Sequence, residues 1–447
     1  MGGKFFLAVC FFAVSLFGIT LENAVKDVLS TNPTIQTKIK YFRAVKQDVG
    51  IAKSGYYPKI DLVAGIGEEK TKNRSTNYDS VSLSREELGI VLKENLFEGF
   101  GTYHQVNKEL YRVDSAAFSV IEQANKTSLD MIEAYINILK QKKLLHLAEK
   151  KVETYKKITG KIQERIDSGV GTESEIQQSK SRLSLAHSNY VVQMNNYEDT
   201  ISSFIKLYGK YISPEELEEP NLVKDLPKSK EEILKQAKLF NPSLNVQRSN
   251  IKVAKSNLSL SEKNFYPTVD LELRQDWNSD IGGVEGDDDS ASVMLRLRYN
   301  LYNGNADSAN RQKSISELRK EIASYHDLQR RVDESVRLAW MAYTTLEKQM
   351  VYLKEHKSLS EKTLKLYIEE FNLGRRTLLD ILDTEEELYS ANRELVTAKY
   401  DHIFAGYRIL ESIGTLSNYV DPSFASVVGL ADGVKSKADE LDSLPED

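Results

Sequence analysis

The chain has 447 residues, with 60 basic against 66 acidic side chains, a formal charge of −6 and one cysteine. That cysteine, Cys10, sits within the first twenty residues, so the remainder holds no disulfide framework, thiolate metal site or cysteine nucleophile. The net acidity argues against nucleic acid as a main partner.

Residues 1–20 read as a secretory signal peptide. Lys4 gives a basic start, Phe5 to Phe17 is apolar apart from Ser15, and Gly18-Ile19-Thr20 offers small residues near a cut. No lipid anchor is expected at Cys10, and no later run of apolar residues is long enough for a spanning helix.

The rest of the chain is written twice. Asn32-Pro33, Tyr57-Pro58 and Asp61-Leu62 return 209 residues later as Asn241-Pro242, Tyr266-Pro267 and Asp270-Leu271. Asn95-Leu96, Gly169, Thr172 and Gly209 return at a spacing of 205 as Asn300-Leu301, Gly374, Thr377 and Gly414. Landmarks repeated in one order indicate a duplicated unit, 21–209 and 229–414. The first unit is expected to hold a helix over 22–54, two strands within 56–98, a long helix over 103–168 and a last helix over 173–209. The second is expected to hold a helix over 229–265, strands within 266–302, and helices over 305–373 and 377–414. Pro214, Pro220 and Pro227 mark 210–228 as a linker, and the Gly/Asp/Ser-rich tail 415–447 is expected to be mostly unstructured.

From Val113 to Ile166, apolar or small residues recur in alternating steps of four and three, a narrow seam made for a partner helix. The fold class is therefore mostly α, with long antiparallel coiled-coil helices and four β-strands per chain. In the strands Ile60, Leu62, Ala64 and Ile66 alternate with Asp61, Val63, Gly65 and Gly67, and Val293, Leu295 and Leu297 alternate with Met294, Arg296 and Arg298. One apolar and one polar face fit a membrane barrel with a wet interior, or a half-buried antiparallel sheet in a soluble protein. Tyr56, Tyr57, Phe97, Phe265, Tyr266, Tyr299 and Tyr302 gather where strands meet helices, as an interfacial girdle would. Four strands cannot close a barrel, so the barrel reading requires an oligomer.

Catalytic chemistry is missing from the pattern. The six histidines are scattered, Gly65-Ile66-Gly67 lacks the third glycine of a dinucleotide fingerprint, and there is no phosphate-binding lysine loop or nucleophile elbow. No enzyme activity, cofactor or metal is expected. Glu285 and Asp287 to Asp289 read as a solvated external loop.

These residues resemble the TolC-type outer membrane efflux proteins across about 22–414. The phrases that carry the resemblance are Asn32-Pro33, Tyr57-Pro58, Asn95-Leu96-Phe97-Glu98-Gly99-Phe100-Gly101 and, most specifically, FNLGRRTLLDILDTEEELYSANRELVTAKYDHIFAGYRILESIGTL at 371–416. The resemblance implies a homotrimer with a twelve-stranded barrel in outer membrane lipid and a helical tunnel through the periplasm. It implies a periplasmic adaptor and an inner-membrane transporter as partners, and a passive exit duct for a tripartite efflux pump or type I secretion system. A soluble periplasmic coiled-coil scaffold is the alternative.

The resemblance also assigns residues. The turns at Gly169, Val170 and Gly171 and at Leu373, Gly374 and Arg375 would dock the adaptor. Thr172 and Glu175 would link to Arg376 across a closed entrance. Phe371 stands where the family has a tyrosine, so one hydroxyl link is expected to be missing. Asp380 and Asp383 would ring the entrance with six carboxylates in a trimer, favouring cations and raising their own pKa values.

Overall fold

The computed structural model describes residues 18–430; most of the expected leader and the end of the tail lie outside the described residues. The elements run α1 (Leu21–Thr31), α2 (Pro33–Lys53), β1 (Lys59–Thr71), β2 (Val81–Glu98), α3 (Gly101–Asp167) and α4 (Glu173–Tyr208). The second half runs α5 (Lys230–Phe240), α6 (Pro242–Glu262), β3 (Thr268–Ser279), β4 (Asp287–Arg298), α7 (Ala306–Asn372), α8 (Leu378–Ile413) and a short α9 (Leu416–Val420). The chain forms two compact units. One comprises Thr37–Val120 with Pro242–Arg330, the other residues 18–36, 121–241 and 331–430.

The first of these holds the sheet, antiparallel in the order β1-β2-β3-β4. The register sets Ile60, Leu92, Leu273 and Val293 in one row across all four strands, and Asp61, Val91, Arg274 and Ser292 in the next. Directly paired residues share a face, so the alternation becomes one apolar and one polar surface. Among the described residues nothing covers the apolar side: Ile60 is 67% exposed, Ile66 79% and Leu295 66%. A half-buried sheet of a soluble protein hides that face within its own chain, and the described residues leave it open. The polar side carries ion pairs, Arg274 with Asp276 at 2.7 Å and Arg296 with Glu272 at 3.1 Å. The β2–β3 ladder joins the two repeats and slips once, between Asn95 and Phe97, where Asn95 Nδ2 donates to buried Asp270 at 2.8 Å.

In the same unit α2 and α6 lie alongside the long helices. Lys38 Nζ donates to Ser119 Oγ at 3.1 Å, and Gln247 Nε2 to Glu321 Oε2 at 2.7 Å.

The single first helices expected over 22–54 and 229–265 are each two helices. The breaks fall at Asn32 (φ −63°, ψ 125°) and Asn241 (φ −61°, ψ 119°). Each precedes a proline, whose ring forces the preceding residue out of the helical region. Asn32 Oδ1 then accepts from the Thr34 amide at 2.9 Å, capping the start of α2.

The second unit contains most of α3, α4, α8 and the packed ends of the chain. Helices α3 and α7 have 67 residues each, about 100 Å of helix at 1.5 Å per residue. The seam from Val113 to Ile166 is buried or half-buried throughout. Between 116 and 139 the burial is wider than one seam, because Phe118, Ile132, Tyr135, Ile136 and Leu139 are also buried.

The tail departs from expectation over 416–428. There α9 and a 3-10 turn at Phe424–Val428 bury Leu416, Val420, Phe424 and Val428, an apolar residue at every fourth position. Asn125 on α3 holds the start of this segment, donating to the Gly414 carbonyl at 3.0 Å and accepting from the Ser417 amide at 2.7 Å. Among the described residues no helix is long and apolar enough to cross a membrane.

Candidate functional site at the helical turns

The two repeats make the same reversal, α3 into α4 and α7 into α8. In the first, Gly169 N donates to Ile166 O at 2.8 Å and Val170 N to Arg165 O at 3.0 Å. In the second, Gly374 N donates to Phe371 O and Arg375 N to Glu370 O, both at 2.9 Å. This paired pattern ends a helix on a left-handed residue, and the glycines adopt it at φ +75° and +74°. Gly171 N closes on the Arg165 carbonyl at 3.1 Å. The turns leave two large apolar side chains in solvent, Val170 at 67% and Leu373 at 70% exposure.

Each following helix starts on a threonine. Thr172 N donates to Glu175 Oε2 at 2.9 Å while Thr172 Oγ1 accepts from the Glu175 amide at 3.4 Å. Thr377 and Asp380 repeat the arrangement at 3.0 and 3.4 Å. These are reciprocal capping boxes, which satisfy amides that a helix start leaves unpaired. Glu175 and Asp380 are thus the same residue of the two repeats.

The expected entrance links are not all brought together. Thr172 and Glu175 bond to each other. Arg376 turns back onto α7, its Nε donating to Glu370 at 2.7 Å and its guanidinium lying 4.0 Å over the Tyr367 ring. Phe371 lacks a hydroxyl but has a partner, the Arg165 guanidinium 4.7 Å over its ring. The two aspartates also part ways. Asp380 caps α8, whereas Asp383 pairs with Arg182 of α4 at 2.9 Å. Within the chain the Asp380 carboxyl lies below its ordinary value, through the Thr377 hydroxyl first and the Thr377 amide second. The expectation of a raised value in a ring of acids does not describe the single chain, where capping bonds favour the carboxylate.

Beneath the turns Tyr155, Ile162, Ile176, Ala186, Leu378 and Leu382 form a core from both repeats, with Phe371 packed against it. Just along from it lies a polar tie that sequence reading missed. Lys151 of α3, buried, reaches Glu386 of α8 at 2.6 Å. Tyr155 donates its hydroxyl to the same carboxylate at 3.2 Å, and the ammonium sits 4.1 Å over the Tyr389 ring. Glu385 next to it has its carboxyl pushed up by burial. The stretch Glu385 to Glu387 is therefore not a uniformly solvated acidic stripe. The available signal was Lys151 lying one turn before Tyr155 on a helix face that is otherwise apolar.

A duplicated subunit with long capped helix pairs and four amphipathic strands, uncovered on their apolar side, belongs to the channel-forming proteins. The chain is a member of the outer membrane efflux protein family, whose sequence model matches residues 24–210 and 233–415, once per repeat. It is 23% identical over 399 residues to the outer membrane efflux protein BepC of Brucella suis biovar 1, covering 89% of this chain and 86% of that one. It is 22% identical over 406 residues to the outer membrane protein TolC of Escherichia coli, covering 87% and 80%. A crystal structure of a membrane protein from Pseudomonas aeruginosa shares the fold, with TM-score 0.80 at 15% identity over 88% of this chain and 93% of that one. The protein is thus an outer membrane efflux channel of TolC type, a transport protein without enzymatic activity, with its strands in the outer membrane and its helices in the periplasm. The soluble scaffold alternative falls with that membership. Family membership also implies a trimeric channel working in tripartite pumps.

Proposed function

We propose that three copies of this chain form the passive exit duct of a tripartite efflux pump or type I secretion system. A periplasmic adaptor grips the turns at Gly169, Val170 and Gly171 and at Leu373, Gly374 and Arg375, and an inner-membrane transporter supplies the energy. The observation that carries the reading is the four-stranded sheet with an uncovered apolar face. Its two outer edges, on β1 and β4, are left for neighbouring copies to pair. Exposed Val170 and Leu373 give an adaptor apolar anchors on rigid, capped turns. Exposed Leu185, Val191 and Val192 on α4 and Leu338 and Met341 on α7 are surface for packing between copies.

In this reading Thr172, Glu175, Phe371 and Arg376 line the closed entrance. Glu175 and Arg376 exchange their present partners for links between helices as it opens and shuts. Asp380 and Asp383 contribute the acids of the mouth, two per copy.

Single-channel recording in planar bilayers tests this. The purified protein should conduct, and multivalent cations added on the helical side should block the current. Replacing both Asp380 and Asp383 by asparagine should weaken that block. Unchanged block would remove these residues from the mouth, and absence of any conductance would end the duct reading.

A further inference from the structure

The first described residues are built into the fold. Ile19 lies in a parallel bridge with Leu217. Its amide donates to the Glu216 carbonyl at 2.6 Å and its carbonyl accepts from the Glu218 amide at 3.3 Å. The same carbonyl lies 2.6 Å from the hydroxyl of Tyr135, a side chain with 0% exposure. Thr20 caps α1, its Oγ1 accepting from the Asn23 amide at 3.2 Å and its carbonyl from the Ala24 amide at 3.0 Å. A leader ending at Thr20, the last residue of the segment read as a signal peptide, would strip α1 of its cap. It would also take away the residue that the segment 216–218 pairs with.

We propose that the leader is removed two bonds earlier in the fold's favour, between Gly18 and Ile19, so that the mature chain begins at Ile19. A protein that resides in the outer membrane must first be exported, and a leader peptidase of the exporting membrane acts on the chain before it folds. Water adds across the peptide bond. Its oxygen joins the Gly18 carbonyl carbon as a carboxylate, the C–N bond breaks, and the Ile19 nitrogen leaves as an amine that is protonated to an ammonium.

Three features fit this bond. Gly18 is the small residue such a peptidase needs immediately before the cut. Every contact of Ile19 and Thr20 survives, since the new ammonium still donates to the Glu216 carbonyl. The Glu218 side chain lies against Gly18, where a Cβ would come within 2.6 Å of Oε1. Once Gly18 is gone, that carboxylate stands beside the new positive charge, and the N-terminus gains an ionic partner in the segment it pairs with.

The test is mass spectrometry of the N-terminal peptide of the full-length protein recovered from the outer membrane after expression of the intact gene. The expected N-terminus is Ile19. A chain starting at any other residue overturns the assignment. Two variants give an independent readout that does not need a stable product, followed by pulse-labelling of precursor and mature forms. Gly18→Leu should lose processing, whereas Thr20→Leu should be processed at the same bond. The reverse pattern would place the cut after Thr20 and overturn the proposal.

Discussion

Thr377 and Asp380 hold each other at the start of α8, and that pairing fixes how the Asp380 carboxyl responds to pH. The Asp380 carboxyl is held below the ordinary aspartate value of 3.8. A carboxyl depressed in the folded state adds stability above its ordinary value and gives it up as pH falls through the depressed one. Hydrogen exchange at the Thr377 amide should therefore stay protected down to pH 3.8 and lose protection only below it. In Asp380→Asn the protection should be weaker and flat through that range. Loss of protection already above pH 3.8 in the unsubstituted protein would mean that the capping bond does not govern this carboxyl.

Lys151 illustrates what a sequence hides at this scale. Its partner Glu386 lies 235 residues away, and no local spacing relates the two. A lysine bordering an apolar seam reads as solvated until the helix opposite supplies the carboxylate. Phe371 was legible as a departure, but its compensation by Arg165 was not, because that contact depends on how two helix ends meet.

At the scale of elements, the two repeats turn on the same left-handed glycine, Gly169 at φ +75° and Gly374 at φ +74°. A residue held at φ +74° without obstruction resists β-branched replacement through its backbone and not through crowding. Gly374→Ile should cost about 1–2 kcal/mol locally and distort the turn, while the helices above keep their core. Adaptor crosslinking at the turns should fall sharply while trimer yield is retained. Full crosslinking in that variant would take the turn out of the docking surface.

The element order, the duplication and both reversals were legible because they rest on local signals: glycine after a helix, threonine before one, alternation in strands. The helix breaks were written in the sequence too, in Asn32-Pro33 and Asn241-Pro242, but served only as repeat landmarks. The ordered tail was missed because Leu416, Val420, Phe424 and Val428 are spread through a segment whose composition suggests disorder. Only their fourfold spacing, and Asn125 far upstream, reveal that it packs.

At the scale of the whole molecule, function depends on the sheet being two-faced. Leu295 and Met294 are neighbours on β4, and the register sets them on opposite faces, opposite Leu271 and Glu272. An arginine on the lipid side of a barrel costs about 2–4 kcal/mol near the bilayer midplane, whereas one on the wet side is tolerated. Leu295→Arg should lower the amount of assembled trimer in the outer membrane, and Met294→Arg should leave it near the unsubstituted level. Equal behaviour of the two, measured by unheated gel migration of membrane extracts, would contradict the assignment of faces.

The ladder between β2 and β3 also sets an order of events. Asn95 and Asp270, bonded across it, are 175 positions apart. A ribosome that has finished the first repeat has made only a lone hairpin, which is marginal in water by itself. Its sticky edge must wait, shielded from neighbours, until the second half arrives. Pairing at that distance is slow to find and exposed to misassembly in the meantime. The duplication thus leaves the edge of the first hairpin dependent on a strand made 175 positions downstream, and half of the chain is not half of a wall.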